Sequence, residues 1–205
     1  MAGIGLYGVY YSKATLTDGV ITAYGGTKTM GKAISANFAP EGNATDNRLW
    51  ANNAIAEVDA SNNAGGTLTV TIDALKIDAA ADLFGLTKAT KNVTVAGTTK
   101  TGTGFSYSGD EVANAVGVAF IRWHQENNVR SIYEVVIYSY CTFSMPSEDA
   151  ATYDGDAGIS WQTPELEATV TAGPSTGTYP WREKYTFDSE DAAIAYIVSV
   201  FGAAS

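Results

Sequence analysis

Cysteine is nearly absent from this 205-residue chain: Cys141 stands alone, so neither an intrachain disulfide nor a cysteine metal cluster can form. Its setting in the apolar run IYSYCTF predicts a buried structural thiol. Histidine is equally scarce, with His124 the single example. Basic residues are few, 12 against 22 acidic ones, for a net charge of -10. That balance argues against binding nucleic acid by neutralising phosphates, which requires a basic face. It leaves open a surface that handles DNA by repelling it. No apolar run approaches the roughly twenty residues needed to cross a bilayer. The opening MAGIGLYGVYYS also lacks the basic start and apolar core of a signal peptide. The expectation is a protein made and used, or assembled, inside a cell, with no membrane insertion. Without an internal repeat, low-complexity tract or shift in composition, residues 1–205 read as a single domain.

Glycine, threonine, alanine and tyrosine are plentiful, and short turn-bounded runs of β-branched and aromatic residues recur. The composition favours a mainly β fold with minor α content. The dominant stretch is Val116 to Phe143, two long strands joined by the polar turn HQENN (His124 to Asn128). In the second arm, strict alternation puts Tyr133, Val135, Ile137, Cys141 and Phe143 on one face. Ile132, Glu134, Val136, Tyr138, Tyr140 and Thr142 fall on the other. Neither face is cleanly polar, so both must be covered, and an arm of this length hints at assembly.

Ile4 to Ser12 and Val20 to Tyr24 read as a hairpin turning at Asp18–Gly19. Lys32 to Phe38 alternates, with Ile34, Ala36 and Phe38 on one face and Ser35 and Asn37 on the other. Residues 39–66 read as one long asparagine-rich loop, of a length that in compact domains is usually functional or disordered. Trp50 and Ile55 within it need cover, from this subunit or a neighbour. Thr67 to Asp73 alternates most cleanly, with Leu68, Val70 and Ile72 inward. Asp78 is the expected N-cap of a short helix Ala79 to Phe84 that ends at Gly85. Lys88 to Ser108 is either a hairpin or a mobile loop. Ile159 to Thr171 resumes alternation, Arg182 to Phe187 forms a short strand, and Asp188 caps a C-terminal helix with Asp191 at N3.

Catalytic and ligand motifs are weak. His124 has no serine and acid at recognisable spacing and reads as a surface turn residue, and the hairpin holds Cys141 far from it. Gly102 and Gly104 begin a G-x-G, but no dinucleotide fingerprint continues it. Glu148, Asp149, Asp154 and Asp156 offer calcium-type oxygens without an EF-hand spacing, and a solvated acidic loop is the simpler reading. The sequons at Asn43 and Asn92 carry little weight without a secretory signal. Trp123, Trp161, Tyr138 and Tyr140 are candidates for a stacking platform, but core or interface packing is the commoner fate of such residues. No catalytic residue, metal or cofactor is expected, and the chain does not read as an enzyme.

The order of these elements resembles the major tail tube proteins of long-tailed bacteriophages of Gram-positive hosts. The resemblance runs through GLYGVYY, KAISANFAPEGNATDNRLWANN, GGTLTVTIDALKIDAAADLFGL, VGVAFIRWHQENNVRSIYEVVIYSYCTFSMPSEDA and ISWQTPELEATVTA to the capped C-terminal helix. Lys88 to Ser108 and Gly173 to Trp181 match it least. It implies a β-sandwich or barrel-like tail tube fold with one short internal helix and a C-terminal helix. The implied assembly is hexameric rings stacked into a virion tube, built in the host bacterial cytoplasm. The partners it implies are other copies of the chain, a tape measure protein, a tail terminator, tail-tip proteins and double-stranded DNA passing through without specific binding.

The residues agree with that on one physical point. Ser35, Asn37, Thr67, Thr69, Thr71, Asp73, Glu165, Glu167 and Thr169 would form a wet strand face without a lysine or arginine. Facing a lumen, they would repel DNA rather than hold it. Trp50, Ile55 and Arg48 are the candidates for contacts between rings or subunits. Two alternatives share these features: a tube of a contractile tail or injection system, and a β-sandwich carbohydrate-binding module.

Overall fold

The computed structural model describes residues 2–41, 47–51, 54–59, 65–126, 129–148, 162–172 and 178–203. It is mainly β with two helices. In chain order the elements are β1 (Ala2–Thr17), β2 (Val20–Tyr24), β3 (Lys28–Thr29), β4 (Ala33–Pro40), β5 (Asn47–Ala51), β6 (Ala54–Asp59) and β7 (Gly65–Ile72). Then follow α1 (Ile77–Phe84), β8 (Lys88–Val95), β9 (Thr98–Phe105), β10 (Ala115–Glu126), β11 (Val129–Phe143), β12 (Glu165–Thr171), β13 (Arg182–Phe187) and α2 (Glu190–Phe201). Among the described residues, no helix is long and apolar enough to cross a membrane.

One open sheet runs in the order β2-β1-β10-β11-β12-β7-β4, with β13 also on β11 and β3 on β1. The long central pair organises it. The first half of β11 pairs with β13, and its end pairs with β12. The sheet is β-sandwich-like and encloses its main core on one side. Val9 and Tyr11 of β1, Val116, Val118 and Phe120 of β10, and Leu68, Val70 and Ile72 of β7 pack there around Leu83 and Phe84 of α1. A second cluster lies across the sheet, where Ala193, Ile197 and Phe201 of α2 cover Ala119, Ile121, Val135 and Ile137. Gly117 permits this approach, because a Cβ there would sit 2.6 Å from the Phe201 ring and 2.7 Å from that of Tyr24.

Two β-bulges alter the phase expected from alternation. Ala33 pairs with Ile72 and Ser35 with Thr71, so Ile34 is the extra residue. It is 53% exposed and does not share the face of Ala36 and Phe38, which are half-buried. In the central pair, Val118 lies opposite Tyr138 but Val116 opposite Cys141, which gives β11 one extra residue. Cys141 and Phe143 therefore share the main core with Val136 and Tyr138, while Val135 and Ile137 face α2. The central strands also continue through the expected polar turn as far as Glu126 and resume at Val129.

The helix ends shift slightly from their expected places. Helix α1 has Lys76 at its N-cap without a side-chain cap bond, and Asp78 sits in the first turn instead. Gly85 ends it as expected, with φ +68 and its N–H donating to the Ala81 carbonyl. Helix α2 is capped by Ser189 rather than Asp188, the serine hydroxyl accepting from the Ala192 N–H. It buries one stripe, Ala193, Ile197 and Phe201, and is not covered on every side. Its C-terminal carbonyls are met by the segment after β2: Gly26 N–H donates to Phe201 O, and Thr27 N–H and Oγ1 both reach Gly202 O.

The stretch expected as one loop at 39–66 holds the end of β4 and the antiparallel pair β5–β6. Lys88 to Ser108 contains a true hairpin, β8–β9.

Candidate assembly surface

Strands β4, β7 and β12 lie side by side with nearly unbroken register. Ser35, Thr71 and Glu165 form one row across them, Asn37, Thr69 and Glu167 the next, and Ala39, Thr67 and Thr169 a third. Eight of the nine residues expected on a wet face therefore share one surface. The register follows from the sequence: Leu68, Val70, Leu166, Ala168 and Val170 are all buried on the opposite face, and a slip of one residue would expose every one. Ser35, Asn37, Glu165, Glu167 and Thr169 are exposed, and Thr67, Thr69 and Thr71 are half-buried between neighbouring strands. The Ser35 hydroxyl donates to Thr71 Oγ1 at 2.9 Å. No lysine or arginine occupies any of the nine positions.

Asp73, the ninth residue, does not join the grid. It lies just past β7, where its Oδ1 accepts from the N–H groups of Lys32 at 2.7 Å and Ala74 at 2.8 Å. The Lys32 bond, the largest influence, helps hold the carboxyl below its ordinary pKa. Asp73 is thus a turn-holding residue. Trp50 and Ile55 are cross-strand partners in β5–β6, and Arg48 lies opposite Val58. The side chains of all three lie outside the described residues, as do Asp149, Asp154, Asp156, Trp161 and Asn43. Among the described residues, no group of three His, Cys, Asp or Glu side chains is placed to hold a metal ion.

His124 is not a turn residue. It lies in β10 with its Nε2 3.0 Å from Glu134 Oε2, and its side chain is 19% exposed. Glu134, directly opposite Arg122, also pairs with the Arg122 guanidinium at 2.7 Å and with Lys184 of β13 at 2.6 Å. Burial alone would raise the Glu134 pKa, but the bonds from Lys184 and His124 and the Arg122 charge together lower it. This cluster binds three strands together. The sequence carried a signal for it, an acid inside SIYEVVIY facing an arginine in FIRWH, but one strand read alone does not name the partner.

Cys141 is fully buried, and desolvation pushes its thiol pKa up, which fits an inert structural residue. Tyr138 is also buried, between the Phe38 and Phe120 rings, and offers no open platform. Trp123 meets Tyr7 at a tilt and Tyr133 edge-to-face. A cleft of about 700 Å³ opens beside α1. Lysines line it together with acids, Lys28 pairing with Asp82 at 2.9 Å and Lys88 with Asp78 at 2.6 Å. Those two charges are compensated locally, while Lys76, the third lysine of the lining, reaches the Thr29 hydroxyl at 3.4 Å. No family model matches the chain, and no curated protein matches it significantly.

Proposed function

We propose that this chain is a structural tube protein that polymerises as stacked hexameric rings into the tail tube of a long-tailed bacteriophage. The observation that carries the reading is the three-row face of β4, β7 and β12: hydroxyls, an amide and carboxylates with no cation among them. A duplex carries one charge about every 1.7 Å, and such a face offers its phosphates no counter-charge and sets two carboxylates against them. Low adhesion is what a conduit for DNA requires. Strand β4 is the terminal strand of the sheet, so pairing it with a strand of a neighbouring copy would extend the wet face around a ring and remove an exposed edge. In this reading the chain has no catalytic role. Its partners are further copies of itself, a tape measure protein within the bore, and terminator and tail-tip proteins at the ends. It is assembled in the host cytoplasm and resides in the virion.

Negative-stain electron microscopy of the purified protein over a range of concentration and salt, with its solution mass, tests the reading. Hollow tubes or six-membered rings are expected. A strictly monomeric protein that also failed to polymerise on a tail-tip complex would overturn it.

A further inference from the structure

The β8–β9 hairpin forms a sheet of its own, separate from the main one. Each strand has eight residues, a reach of about 26 Å at about 3.3 Å per residue. Phe105 packs at its root against the main core, and Lys88 pairs there with Asp78. Beyond the root almost every residue is exposed. A lone two-stranded ribbon is at best marginally stable in water. Something is therefore expected to cover it.

The two faces of the ribbon differ sharply. One pairs Thr90 with Thr103, Asn92 with Thr101 and Thr94 with Thr99, and Thr101 Oγ1 donates to Asn92 Oδ1 at 2.7 Å. The other pairs Lys91 with Gly102, Val93 with Lys100 and Ala89 with Gly104 and ends in Val95. Val93 and Val95 are 57% and 59% exposed. Among the described residues, neither Lys91 nor Lys100 has an ion-pair partner. Packing among the described residues does not explain the two glycines. A Cβ at Gly104 would meet nothing within 4 Å, and one at Gly102 only the Lys91 carbonyl at 3.8 Å. Glycine inside a strand weakens it and often marks the close approach of another backbone. Among the described residues, no backbone of the same subunit outside the ribbon packs against this strip.

We propose that the Lys91/Val93/Val95/Lys100 face of this hairpin is an assembly arm that docks on the acidic surface of a second copy of the chain. Charge selects the occupant. The proposed face carries Lys91 and Lys100, and the ribbon holds none of the chain's 22 acidic residues, so every other copy, with a net charge of -10, presents an acidic body to it. Gly102 and Gly104 leave a flat strip for contact, the valines supply apolar area, and the lysines set the orientation. The arm gives the tube reading a specific subunit contact, but it requires only self-association and not a hexameric ring.

The test uses two full-length variants, Gly102→Val/Gly104→Val and Lys91→Glu/Lys100→Glu. Valine favours an exposed strand, so the first variant keeps or improves the hairpin while filling the flat strip. Both are expected to weaken self-association at least about tenfold by sedimentation, with thermal unfolding of the isolated subunit unchanged. In a mixture of ¹⁴N- and ¹⁵N-labelled wild-type protein, zero-length carbodiimide coupling should join Lys91 or Lys100 to carboxylates of the other isotope. Undiminished association of both variants, or crosslinks confined to one chain, would overturn the arm. Hexameric tubes built by both variants would remove the arm and leave the tube reading intact. Arm-dependent association that stops at a dimer would support the arm and count against the tube.

Discussion

Glu134 is held by Arg122, His124 and Lys184 from its own flanking strands, and its carboxylate is the one acid among the four. Its side chain is 6% exposed, whereas Arg122 and Lys184 are about half in solvent. Removing the buried member takes away the shared counter-charge of Arg122 and Lys184, but both remain about half in solvent, which limits the cost. Glu134→Gln is expected to lower unfolding stability by about 1–2 kcal/mol at neutral pH, measured by urea denaturation. The pH dependence follows from the lowered pKa of the folded state. The contribution is fully present above the carboxyl's unfolded pKa and is lost as pH falls through the lower folded one. The wild-type protein should therefore lose stability on acidification more steeply than Glu134→Gln. Equal acid limbs would place the acid sensitivity elsewhere.

Elements were legible in the sequence wherever period and punctuation agreed. Strands β7 and β12 showed their inward residues directly because Leu68, Val70 and Ile72, and Leu166, Ala168 and Val170, alternate with polar side chains without interruption. That same alternation exposed most of the candidate surface. Gly85 marked the end of α1 because a left-handed residue was needed there. Phase failed at the bulges, where Ile34 turned outward and Cys141 joined Tyr138, since an inserted residue leaves no mark in composition or period. The β8–β9 ribbon was ambiguous for a different reason: its threonines and glycines carry little inward signal, because the subunit does not bury them. At α2 the cap expected at Asp188 falls one residue later, on Ser189. Ser189→Ala should cost about 1 kcal/mol. Asp188→Ala should cost much less, and thermal unfolding of the two variants side by side distinguishes them.

For the molecule as a whole, the net charge of -10 sets a cost on bringing copies together, and the tube reading concentrates that cost at one place. If β4, β7 and β12 face a shared bore, then Glu165 and Glu167 of every copy face one another across it, while the arm proposed for Lys91 and Lys100 acts at a different contact. Repulsion across a bore is long-range and depends on salt, with a screening length of about 30 Å at 0.01 M ionic strength and about 8 Å at 0.15 M. Glu165→Gln/Glu167→Gln should therefore shift the onset of assembly, followed by light scattering, to lower salt without changing subunit stability. The substitution is conservative because both side chains are exposed on the strand face and, among the described residues, neither has an ion-pair partner. An onset that did not move would mean that these carboxylates remain apart in the assembled state. The wet face would then line an outer surface instead of a bore.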